Sequence, residues 1–126
     1  MNEIALLHVD DEDDIREVAA YALELDPAIQ LTSVASGGAA LEQLEAGYRP
    51  DAILLDVMMP GLDGPGTLER LRTISGLEST PVVFMTARVQ ADERQHYLNL
   101  GAVGVITKPF DPLSLASELR SLLAAR

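Results

Sequence analysis

The sequence predicts an α/β fold, an open doubly wound parallel sheet with helices on both faces. Short apolar runs alternate five times with longer stretches whose apolar residues recur at helical spacing. The first, third and fourth short runs, IALLHV, AILLDV and PVVFMT, are nearly continuous in apolar residues, as strands are when both faces are covered. A chain of 126 residues is also long enough for one domain with a full hydrophobic core.

Each element follows from its pattern. IALLHV (4–9) reads as the first strand. From Asp14 to Glu24, the residues Ile15, Val18, Ala19, Ala22 and Leu23 share one helical face. IQLTSVA (29–35) is strand-like, and Gly37 to Ala46 carries Ala40, Leu41 and Leu44 at helical spacing. AILLDV (52–57) is the third strand. Gly64 to Ser75 is a helix anchored by Leu68 and Leu71; Pro65 suits its first turn, whereas Gly66 predicts a loose start. PVVFMT (81–86) is the fourth strand, and Gln90 to Leu100 is a weaker helix with few apolar anchors. VGVIT (103–107) is the fifth strand. Pro112 to Ala125 closes the chain, with Pro112 in its first turn and Leu115, Leu119 and Leu122 on one stripe. Right-handed crossovers leave few topologies for this order.

Composition excludes several classes. The formal net charge of −11 argues against direct binding of nucleic acid or an anionic membrane. Cysteine is absent, which removes disulfides and thiolate metal sites and fits a reducing compartment. MNEIALLHVDDED lacks the basic start and apolar length of a signal peptide, and no apolar run is long enough to span a membrane. Repeats, linkers and low-complexity tails are not evident.

In a parallel sheet the C-terminal strand ends share one edge, where open α/β sheets bind ligands. The first strand ends in Asp10 and Asp11, and the third near Asp56. The fourth ends in Thr86, and the fifth in Thr107 and Lys108. Lys108 is the only lysine, in a chain with eight arginines. Crowded carboxylates raise one another's pKa unless a cation neutralises them, and a hard cation such as Mg²⁺ suits oxygen ligands. A carboxylate beside Mg²⁺, a hydroxyl and an ammonium is equipped to accept a phosphoryl group as an aspartyl-phosphate. Asp13 and Asp14 need no such role, because acids at a helix N-terminus favour its dipole. An EF-hand counted from Asp10 fails, with Ile15 sixth and Tyr21 twelfth. His8 and His96 lack a matching context, which favours structural roles.

VDDE (9–12), LLDVMMPGLDG (54–64), FMTA (84–87) and ITKPF (106–110), in this order at strand ends, resemble the receiver domain of bacterial two-component response regulators over essentially the whole chain. The resemblance implies a flavodoxin-like (βα)5 fold with strand order 2-1-3-4-5, forming a single receiver domain over residues 1–126. It implies Asp56 as phosphoacceptor and Asp10, Asp11, Asp56 and the Met58 carbonyl as Mg²⁺ ligands. Thr86 is then the switch hydroxyl and Lys108 the phosphate-contacting lysine, and the small Ala87 leaves room for the phosphoryl group. It further implies a cis Lys108–Pro109 peptide. The function implied is a cytoplasmic signalling switch that is phosphorylated by a sensor histidine kinase or phosphotransfer protein and hydrolyses its own phosphoryl group slowly. Its downstream partner is an effector protein or fused output domain, with a phosphorylation-dependent homodimer as a further form.

Two departures stand out. Val105 occupies a position where many receivers carry an aromatic, and Gly104 one where an acid is frequent, so an aromatic rotamer switch at 105 is unavailable. Arg88, two residues past Thr86, is placed to lie over the site entrance and tune phosphoryl lifetime. Two other functions share the residue set. A haloacid-dehalogenase-type phosphatase also uses a strand-end aspartate, a lysine and acidic ligands, but TKPFDPLSL offers only Asp111 as the later acid. A phosphorylation-independent interaction domain would keep the fold alone, and the intact acid set argues against it.

Overall fold

The structure, a computed structural model, describes residues 3–87 and 89–125. Among these, strands and helices alternate as β1 (Ile4–Val9), α1 (Asp13–Glu24), β2 (Ile29–Val34), α2 (Gly37–Glu45) and β3 (Ala52–Asp56), then α3 (Gly64–Leu71), β4 (Val82–Thr86), α4 (Ala91–Asn99), β5 (Gly104–Thr107) and α5 (Leu115–Ala124). All neighbouring strands pair in parallel, in the expected order β2-β1-β3-β4-β5.

The unbroken apolar runs are explained by burial, since β3 and β4 are enclosed at every position. The two-residue side-chain period divides the core into two layers. Leu7, Val9, Ile53, Leu55, Phe84 and Val105 pack with residues of α2, α3 and α4 on one face. Leu6, Leu54, Val83, Met85 and Ile106 pack with residues of α1 and α5 on the other. Each such aliphatic side chain contributes about 1.5–3 kcal/mol when fully buried.

Several elements differ from the pattern-based reading. The start of α3 is not loose: the Asp63 carboxylate accepts from the Gly66 N–H at 2.8 Å and caps it, with Pro65 in the first turn. The helix then stops at Leu71, short of Ser75, and the chain turns through Thr73 and Ile74, whose N–H groups bond the carbonyls of Arg70 and Leu71. α5 begins at Leu115, not Pro112. Asp111 captures the Leu113 N–H with its side chain and the Ser114 N–H with its carbonyl, so Pro112 lies in a turn before the helix. The remaining bounds agree to within one residue.

Asp13 and Asp14 occupy the first turn of α1, where Asp13 pairs with Arg16. The Lys108–Pro109 peptide is cis. A Cβ on Gly104 would lie 2.6 Å from Leu122 Cδ2, so a larger residue there would require the Leu122 side chain of α5 to shift. Val105 is buried opposite Phe84, and the aromatic beside them comes from α4. Tyr97, the one buried side chain that helix contributes, meets the Phe84 ring edge-on with centroids 5.3 Å apart.

Candidate functional site

The parallel sheet brings the C-terminal ends of β1, β3, β4 and β5 to one edge. β1 pairing extends through the Asp10 N–H to Val34 O at 3.2 Å. The Asp10 carboxylate is held by the Glu12 N–H at 2.9 Å, and its carbonyl by the Arg16 guanidinium at 2.6 Å. Asp56 is the last residue of β3, and Val57 N–H continues the ladder to Met85 O. The loop after it closes where Gly64 N–H bonds Val57 O at 2.9 Å. A Cβ on Gly64 would stand 2.5 Å from the Asp56 carbonyl oxygen, so only glycine lets α3 begin this close to the site. Lys108 N–H bonds Thr86 O at 2.9 Å, which joins the ends of β4 and β5.

Asp10, Asp11 and Asp56 each offer a carboxylate oxygen, all within 4.8 Å of one another. Asp10 and Asp56 are buried and Asp11 is more open. The Lys108 ammonium lies 2.9 Å from Asp10, 3.2 Å from Asp56 and 3.4 Å from Glu12. Among the described residues, Asp56 Oδ2 is buried without a hydrogen-bond partner. Burial above all, and then the charge of Asp10, push the Asp56 carboxyl up to about 6; Lys108 and the Met58 N–H oppose the rise. Burial pulls the Lys108 ammonium down, but the hydrogen bonds and charges of Asp10 and Asp56 outweigh it and hold it above its ordinary value.

This set fits a hard divalent cation. Three carboxylates cluster beside one ammonium, Asp56 Oδ2 has no hydrogen-bond partner among the described residues, and every acidic donor is oxygen. Chemically, the edge offers a nucleophilic carboxylate, a fixed cation and a place for a second one.

The remaining candidates are placed as follows. Thr86 is buried at the end of β4, and Ala87 is exposed just beyond it. Met58 sends its side chain into solvent, 66% exposed, with its backbone beside Asp56. Arg88 lies outside the described residues. His8 is fully enclosed, with no hydrogen-bond partner on either ring nitrogen among the described residues, and burial chiefly lowers it to about 4. His96 is exposed on α4, its ring 5.7 Å from that of Tyr97. Glu12, Arg16 and Gly64 were missed as site residues. VDDE contains Glu12, but its reach to Lys108 spans 96 positions and leaves no mark in local spacing.

Comparison with known proteins agrees with this geometry. A family model described as "Response regulator receiver domain" matches residues 6–120. Transcriptional regulatory protein CseB of Streptomyces coelicolor is 40% identical over 118 residues, covering 94% of this chain and 48% of that protein. Phosphate regulon transcriptional regulatory protein PhoB of Escherichia coli is 36% identical over 118 residues, covering 94% and 51%. This chain thus spans about half the length of the curated relatives it matches. Among solved structures, chemotaxis response regulator CheY4 of Vibrio cholerae superposes with a TM-score of 0.86 at 29% identity, covering 96% of this chain and 99% of that one. The receiver domain of Francisella response regulator 1452 gives 0.84 at 28%, covering 98% of each. The phosphatase reading finds no support here. No helix among the described residues is long and apolar enough to cross a membrane.

Proposed function

Because this chain belongs to the response regulator receiver domain family, we propose that it is a phosphoacceptor switch in which Asp56 takes a phosphoryl group from a phosphohistidine donor. The observation that supports this most is the Asp10–Asp11–Asp56 cluster with Lys108 set against it and Asp56 Oδ2 unpartnered.

An Asp56 oxygen attacks phosphorus, and a P–O bond forms as the P–N bond to the donor imidazole breaks, its electron pair leaving with the nitrogen. At neutral pH a carboxyl near 6 is mostly ionised and ready to attack. Lys108 counters charge on the phosphoryl oxygens, and Thr86 donates a hydrogen bond to one of them. Ala87 leaves room for the group. Asp10, Asp11, Asp56 and the Met58 carbonyl would hold Mg²⁺, which would supply further neutralisation of those oxygens.

The domain, residues 1–126, works as a switch more than as an enzyme, because its chemistry is its own phosphorylation and slow hydrolysis. The donor is a sensor histidine kinase or phosphotransfer protein in the cytoplasm. The output is a separate effector or a fused domain, and the acidic charge argues against direct nucleic-acid binding by this segment. To test the proposal, the protein is incubated with acetyl phosphate and Mg²⁺ and its intact mass is measured. One added phosphoryl group, lost in Asp56→Asn, is expected; a folded protein that gains none from any donor would contradict it.

A further inference from the structure

We infer that Glu12 is a positioning residue that competes with the incoming phosphoryl group for Lys108 and so disfavours small anionic phosphodonors. This rests on the phosphoacceptor reading of Asp56.

Lys108 touches three carboxylates, and they are not equivalent. Asp10 and Asp56 are buried within the site, while the Glu12 side chain is 60% exposed at its mouth. Glu12 stands at the N-cap of α1, where a side chain usually bonds a free N–H of the first turn. It makes no such bond. Its Oε1 instead meets the ammonium at 3.4 Å. Its carbonyl accepts from the Arg16 N–H and its N–H bonds Asp10, so the backbone is fixed and the side chain alone is free to choose.

A phosphoryl group arriving at Asp56 brings negative charge that needs the same ammonium. While Glu12 shares the ammonium with Asp10 and Asp56, that pairing is weakened. A small donor such as acetyl phosphate has nothing to offer Glu12 in return. A protein donor with a basic side chain near its phosphohistidine can pair with Glu12 and release the lysine, so it bears no such handicap.

The sole lysine gives a direct probe, because lysine labelled at Cε and Nζ yields one side-chain signal. In metal-free protein, Glu12→Gln is expected to shift the Lys108 signal while backbone amides beyond residues 10–16 stay in place. The half-saturating acetyl phosphate concentration is expected to fall about two- to fivefold, with the limiting rate moving less, as suits one exposed charge contact. Glu12→Asp keeps the charge at the mouth but is too short to reach Lys108, so it should behave like Glu12→Gln. An unmoved lysine signal, or Glu12→Asp kinetics matching the parent, would overturn the inference. If the parent takes up no phosphoryl group at any acetyl phosphate concentration, the reading of Asp56 fails instead, and the lysine signal still reports on the Glu12 contact.

Discussion

Asp56 carries a cost that follows from its placement. Its residue is 2% exposed, and its carboxyl is raised from 3.8 to about 6. A carboxyl raised in the folded state takes up a proton on folding, so its ionised form opposes folding. That cost is absent below about pH 4, where both states are protonated, grows as pH rises, and is complete above about pH 6. At ~1.4 kcal/mol per unit it amounts to ~3 kcal/mol. Metal-free Asp56→Asn should therefore be more stable than the parent at pH 7 by ~1–3 kcal/mol, allowing for the lost Lys108 contact, and the gap should close by about pH 4. Urea titrations at the two pH values check this; an equal gap at both would disprove the burial cost. His8 runs the other way. Its imidazole is lowered from 6.5 to about 4, by burial first, with Asp10 opposing and Lys108 and Arg16 adding to the effect. It stays neutral when folded, so its stabilising effect is lost as pH falls from about 6.5 to about 4. The two groups offset each other over much of the same window.

Among the helices, α4 is the least anchored. Its one buried side chain is Tyr97, whereas α2 and α3 each bury four residues. Tyr97→Ala should cost about 3 kcal/mol and Tyr97→Phe, which keeps the ring pair with Phe84, under about 1 kcal/mol. Hydrogen exchange should show α4 opening first, because few buried contacts mean low local stability. Equal protection in α4 and α1 would contradict this. The weakness of α4 was legible, since ADERQHYLN has few apolar positions. The start of α5 was not, because Pro112 suits a helical first turn and a β-turn alike, and the Asp111 side chain decided between them. The Asp63 cap was likewise hidden behind Gly66, whose N–H it engages. Tyr97 meeting Phe84 depends on which helix packs over β4, and local spacing does not carry that.

For the whole molecule, strict alternation was enough to predict a parallel sheet, and a parallel sheet collects strand ends at one edge. That is why Asp10, Asp11, Asp56, Thr86 and Lys108 could be grouped from sequence, while the Glu12–Lys108 contact and the enclosure of His8 required distances. A net charge of −11 means that any salt relieves repulsion, so specific binding must be separated from screening. Mg²⁺ should raise the melting temperature more than NaCl at equal ionic strength, and Asp11→Asn should lose that excess. Equal effects of the two salts would argue against a site. The central claim is that Asp56 receives the phosphoryl group. Borohydride reduction after reaction with acetyl phosphate and Mg²⁺, followed by peptide sequencing by mass spectrometry, reads the acceptor directly. Conversion of Asp56 to homoserine is the predicted result; conversion at another carboxylate, or at none, would contradict the account.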